Sequence, residues 1–223
     1  MTVYDIAAAL PSIEVLRGRC RAIAVLERAM DGIQPYHCYT RAWGDDEAAL
    51  MRDGCGDEWA VVFTGEGAFI RVFDHESAMS PYCDEDRELW PGLLDGLPPE
   101  FVAQVEEPAF GDEEGHFVAT AVLWRLAGDD RWHAGQGIEF PPSRGPYDEG
   151  PDGTYLLEIL LDDIVDKYLR YVEEFYETSV DRNAAEHVVA GRPLTDAVIK
   201  VLNPNVDLAR LREDVTAMGY PLA

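Results

Sequence analysis

The spacing of apolar side chains changes twice along the chain. Over residues 12–30, Ile13, Leu16, Cys20, Ile23, Leu26 and Met30 recur at three- and four-residue steps, which predicts an amphipathic helix with one buried face. Ser12 stands where an N-cap is expected, after Pro11 stops a short preceding turn, and Asp31-Gly32 ends the helix. Arg17, Arg19, Arg21 and Arg28 fall largely off the apolar stripe. The middle of the chain has the aromatic-rich runs and turn signals of strands. Residues 36–43 (YHCYTRAW) predict a strand, followed by a Gly-rich acidic loop over 44–57. Residues 58–64 (EWAVVFT) and 68–73 (AFIRVF) predict a hairpin about Gly65-Glu66-Gly67. Residues 117–126 (FVATAVLWRL) and 131–140 (RWHAGQGIEF) predict a second about Gly128-Asp129-Asp130. Between the hairpins, 88–94 and 98–107 predict short helices, the second opened by Pro98-Pro99.

Beyond residue 153 the period becomes helical again. Leu157, Leu161, Ile164, Val165, Tyr168, Val172, Phe175 and Tyr176 place a helix over 154–178, and the dense leucines beside Asp162-Asp163 predict a break there. Asp163–Lys167 and Asp166–Arg170 have the spacing of exposed helix ion pairs, worth about 0.2–0.5 kcal/mol each. Shorter helices are expected over 183–190, 195–202 and 206–218, with Thr195 and Asp207 as N-caps. Strands followed by helices favour an α+β fold over a doubly wound one. The expectation is a mostly antiparallel sheet of about five strands, with the N-terminal helix packed on it and a C-terminal helical subdomain. Residues 1–140 would form the sheet domain, 141–153 (PPSRGPYDEGPDG) a linker, and 154–223 the helical part.

A chain of 223 residues with 47 % apolar content can bury a core without disulfides and is not a disordered chain. No run approaches 18 apolar residues and no basic segment precedes the first apolar residues, so a soluble cytosolic protein is expected. Cys20, Cys38, Cys55 and Cys83 form no CxxC pair, which disfavours a zinc knuckle and fits reduced thiols. Charge changes the picture most. There are 43 acids against 18 Lys and Arg, a net −25, and residues 31–150 carry 26 acids and seven Arg. Such a field repels nucleic acid and anionic lipid. Arg is used almost exclusively, with only Lys167 and Lys200, as in a high-GC genome whose proteins are often acidic.

Four groups of residues could carry function. Asp74-His75-Glu76 closes the strand AFIRVF, and a carboxylate, an imidazole and a second carboxylate could move a proton or bind a divalent metal if the chain curls there. Neighbours on a straight strand point to opposite faces. His75, His116 and His133 lie on or beside neighbouring strands and could meet as metal ligands. The acidic triplets Asp45-Asp46-Glu47, Asp84-Glu85-Asp86 and Asp112-Glu113-Glu114, with Asp148-Glu149, fall in loops near Trp43, Tyr82, Trp90, Phe110 and Tyr147. They could dock a basic protein, and salt would weaken that contact. Trp59, Phe63, Phe69, Phe73, Trp124 and Trp132 could line an aromatic pocket, although core packing accounts for them equally. GxSxG, Walker A and GxGxxG are absent, so no particular cofactor is implied.

The segments RVFDHES (71–77), MSPY (79–82), ELWPGLLDGLP (88–98), VEEPAF (105–110) and GDDRWHAG (128–135) resemble those of a group of actinobacterial proteins with no established activity. The likeness extends to RPLT (192–195) and LNP (202–204), and implies no site residue. In size, acidity and expected fold the chain is also similar to acidic α+β immunity proteins that block basic toxins. The preferred expectation is therefore an acidic cytosolic protein that binds and neutralises a basic partner. A metal-assisted hydrolase or other enzyme using Asp74, His75 and Glu76, and a ligand sensor with an aromatic pocket, are the alternatives.

Overall fold

The computed structural model describes residues 1–30, 34–83, 87–142, 145 and 149–223. Two helices, α1 (Val3–Ala9) and α2 (Ile13–Met30), open the chain. Strands β1 (His37–Trp43), β2 (Asp46–Arg52), β3 (Glu58–Phe63) and β4 (Gly67–Phe73) follow, then the short helix α3 (Val102–Val105), then β5 (Ala121–Leu126) and β6 (His133–Ala134). Four helices end it: α4 (Ile164–Tyr176), α5 (Arg182–Val189), α6 (Asp196–Leu202) and α7 (Leu208–Ala217). The six strands form one antiparallel sheet in the order β1-β2-β3-β4-β5-β6, so the fold is α+β. No helix among the described residues is long and apolar enough to cross a membrane. The chain divides into two compact units, Met1–Ile13 with Met51–Glu158, and Glu14–Leu50 with Ile159–Ala223.

In the first unit, nearly every residue of β3, β4 and the start of β5 is buried. Their apolar runs are therefore covered on both faces, and each fully buried large side chain contributes about 1.5–3 kcal/mol. Gly67 pairs with Leu126, and a Cβ there would lie 2.1 Å from the Arg125 carbonyl, so the hairpin needs glycine at this point. Arg71 is 2 % exposed in the middle of β4. Its guanidinium pairs with Glu58 at 2.7 Å, donates to the Val118 carbonyl, and lies 5.7 and 5.6 Å from the ring centroids of Phe73 and Phe110. Helix α1 packs on β5 and β6. The fully buried Asp152 carboxylate ties it down, accepting from the Val3 amide at 2.6 Å and the Thr154 hydroxyl at 2.6 Å.

In the second unit, α2 buries Leu16, Cys20, Ile23 and Leu26, the stripe that its sequence predicts. Glu27 and His37 are a buried pair, 1 % and 5 % exposed, with His37 Nδ1 2.5 Å from Glu27 Oε1 and the His37 amide donating to Oε2 at 2.9 Å. Tyr171 stands edge-on to the His37 ring at 5.2 Å. Asn203 donates to the Met30 carbonyl, and Arg28 pairs with Asp214, which ties α2 to the C-terminal helices. Thr195 and Asp207 cap α6 and α7 as expected, and Asp181 caps α5. The break beside Asp162 is real: residues 154–160 form 3₁₀ turns and Asp163 takes φ +62° before α4 begins.

Three local expectations are corrected. Residues 46–52 form β2 rather than a loop, joined to β1 by a two-residue turn in which Gly44 takes φ +62°. Residues 88–94 make turns, not a helix. The second hairpin is shorter than predicted, with β6 ending at Ala134, where the carbonyls of Gly92 and Leu93 press so closely on Gly135 that no Cβ fits.

Candidate functional site

The hairpin of β3 and β4 brings titratable groups together at its open end. Its register pairs Glu58 with Phe73, so the next residues outward, Asp57 and Asp74, leave the sheet side by side. Asp53 shapes the approach to β3, its carboxylate accepting from the amides of Cys55, Gly56 and Asp57 at 2.7, 3.1 and 3.1 Å. After β4 the chain curls, because Asp74 Oδ1 accepts from the amides of Glu76 and Ser77 at 2.8 and 3.0 Å. The curl carries His75 back over Asp57: both its amide and Nδ1 lie on Asp57 Oδ1, at 2.9 and 2.7 Å. Tyr155 reaches the other oxygen of Asp57 at 3.4 Å from the 3₁₀ segment. Two glycines make the packing possible. A Cβ at Gly153 would lie 2.4 Å from that of Asp74, and one at Gly56 would lie 3.0 Å from the His75 ring.

Asp57, Asp74 and His75 each offer a ligand atom within 4.8 Å of the others. Asp74 is 7 % exposed, while the side chains of Asp57 and His75 are 13 % and 40 % exposed. Burial pushes the Asp74 carboxyl above its ordinary range, and the neighbouring Asp57 charge adds to the rise. The hydrogen bond to Asp57 raises His75. Burial, with the charges of Asp74, Asp57 and Glu149, pushes the Tyr155 hydroxyl far up. The group can pass a proton between His75 and Asp57 or hold a cation. Of the predicted triplet, Asp74 and His75 converge, and Glu76 contributes its amide to the curl but is not in the ligand group. Asp57 and Tyr155 were not singled out in the sequence. The hairpin register was the signal that could have found Asp57.

The histidines do not meet. His116 pairs with Asp112 and Glu114 at 3.3 and 3.7 Å, and His133 pairs with Asp129 at 3.3 Å, each in its own segment. His75 and His116 belong to separate ligand groups and His133 to neither. The acidic loops also divide. Burial alone would raise Glu47, but the Tyr39 hydroxyl and Arg21, Arg17 and Arg41 around it lower it. Asp112 is held down to about 2 by the His116 amide, the Arg87 guanidinium and the Glu114 amide. These two carboxylates are committed inside the chain, whereas Asp45, Glu113 and Glu114 are exposed and Asp46 is half-buried. Asp84, Glu85, Asp86 and Asp148 lie outside the described residues.

Two open cavities lie among the described residues. One of about 330 Å³ lies between α1 and the β6 edge, lined by Tyr4, Trp132 and His133 among others, and one of about 510 Å³ lies beside α5 and α6, lined by His187, Arg192 and Val201 among others. Comparison with family models, with curated proteins and with solved structures finds no match to this chain.

Proposed function

We propose that the chain is an acidic interaction protein of the cytosol that binds and neutralises a strongly basic protein through the unit Met1–Ile13 with Met51–Glu158. One observation carries this reading: that unit holds 25 acids against six arginines, a net −19. Three of the six already serve two of its own carboxylates, Arg52 and Arg71 on Glu58 and Arg87 on Asp112. The remaining excess is self-repelling, and a cationic surface relieves it while being steered toward it. Among the predicted docking carboxylates of this unit, Glu113 and Glu114 project from a loop that Asp112 holds rigid by accepting from two of its amides. Tyr82, 51 % exposed and stacked at 5.4 Å on Arg87, which pairs with Asp112, supplies an aromatic contact of the kind enriched at interfaces.

The test is capture of cellular proteins on the immobilised chain at about 0.05 M salt and release at about 0.5 M, where exposed charges are screened within a few ångströms. A basic protein retained at low salt, released at high salt, and bound with a slower on-rate by the Glu113→Gln/Glu114→Gln variant is the expected result. Binding indifferent to salt, or no protein retained, refutes the proposal.

A further inference from the structure

We infer that Asp57, Asp74 and His75 form a binding site for one divalent cation with mixed nitrogen and oxygen preference. The three ligand atoms lie within 4.8 Å of one another, a span that metal–ligand bonds of about 2.0–2.5 Å close with little movement. They come from the loop before β3 and the curl after β4, and the β3–β4 register fixes their approach. An imidazole beside two carboxylates is a donor set for manganese, iron or zinc rather than for calcium alone.

A second observation separates this cluster from an ordinary acidic loop. Among the described residues, no arginine or lysine pairs with Asp57 or Asp74. Asp74 is nevertheless 93 % buried, and its Oδ2 accepts no hydrogen bond among those residues. Oδ2 is not among the fully buried polar atoms without a partner, so it keeps a narrow contact with solvent through which an ion can reach it. The comparison within the same unit is direct. The other cluster of this composition, Asp112, Glu114 and His116, already has a resident cation, since the Arg87 guanidinium sits 3.0 Å from Asp112. Each cluster is two carboxylates and an imidazole, yet one is closed by the chain's own arginine and the other has none beside it among the described residues. A cation at the open cluster would replace the hydrogen between His75 and Asp57 and take up the spare oxygen of Asp74. The Tyr155 hydroxyl, 3.4 Å from Asp57, stands close by as a further oxygen donor.

Manganese is the probe, because it takes oxygen and imidazole ligands and ignores the exposed thiols of Cys38, Cys55 and Cys83. The loss of the free-ion resonance of Mn²⁺ is followed on titration into the full chain, beside calorimetry and thermal melting. One equivalent bound, a rise in melting temperature with added Mn²⁺, and affinity at least tenfold weaker in both Asp74→Asn and His75→Ala are expected. His116→Ala should bind as the wild type does. His75 is partly exposed, so its removal leaves a folded protein in which the loss can be read. No binding by the folded wild type overturns the inference. Undiminished binding in both site variants, which would mean diffuse attraction to the acidic surface, overturns it equally.

Discussion

Replacing Glu27 by Gln should be among the most damaging conservative changes in the chain. The Glu27 carboxylate is 1 % exposed and accepts from the His37 amide and Nδ1, while the Tyr176 hydroxyl also bonds to it. Gln keeps the shape and one acceptor but turns an NH₂ toward one of those donors. The change removes a charge-assisted hydrogen bond, about 1.5–3 kcal/mol, and leaves a buried donor unpaired, about 1–3 kcal/mol. Together these come to about 2.5–6 kcal/mol, a range that brackets the about 3–5 kcal/mol of breaking a buried ion pair from one side, and the latter sets the expected loss. For a protein of this length each kcal/mol moves the midpoint by about 2–4 °C, so the melting temperature should fall by about 6–20 °C. Near-ultraviolet circular dichroism suits the measurement, because Tyr36, Tyr168, Tyr171 and Tyr176 surround the pair. The double variant Glu27→Leu/His37→Phe should recover only part of the loss, since it removes the imidazole donor but still leaves the residue-37 amide and the Tyr176 hydroxyl without their acceptor. A Glu27→Gln protein melting within about 2 °C of wild type would refute the reasoning.

Three further outcomes follow from the same physics. Asp74 has a folded-state carboxyl value raised above its ordinary 3.8, so its stabilising contribution is complete below that value and is lost as pH rises through the raised one. Asp74→Asn keeps the acceptor for the Glu76 and Ser77 amides and should therefore melt above wild type near pH 7 and level with it near pH 3, as melting curves at the two pH values would show. Asp207→Ala removes the acceptor for the Ala209 and Arg210 amides and should cost about 1 kcal/mol, read from a urea midpoint with unchanged slope. Asp112→Ala should speed amide exchange at Glu114 and His116, whose amides it holds at 2.9 Å each, without a comparable effect at Asp53's loop.

The elements that could be read from the sequence are those whose local chemistry and burial agree. Helix α2 shows a single apolar stripe, α6 and α7 carry side-chain caps, and the β3–β4 hairpin is bounded by turn glycines, and each lies within two residues of its expected place. Strand β2 was hidden because Asp46-Glu47-Ala48-Ala49-Leu50-Met51-Arg52 has the composition of a helix and only its place beside other strands makes it extended. Residues 88–94 have helical composition too, but Pro91 and the left-handed Gly92 at φ +88° turn the chain. Tertiary context decides both.

The candidate sites illustrate the same division in charge. Counting acids along the chain treats Glu47 and Asp112 as equal to Glu113 and Glu114, yet the first two are saturated by arginines or amides and the last two are exposed. Arg17 and Arg21 lie off the apolar stripe of α2, which reads as solvated surface, and they are spent instead on one glutamate. The reverse holds at the hairpin mouth. Asp57 looks like one more loop acid, and its importance comes from the pairing of Glu58 with Phe73, which sets it across from Asp74. A partner or a cation can respond only to charge that the fold has left unspent. The residues that matter for either are therefore found by subtracting the chain's own pairs from its acids, and at the mouth of the β3–β4 hairpin that subtraction leaves, among the described residues, Asp57 shared between His75 and the Tyr155 hydroxyl and Asp74 held by two amides with no cation beside it.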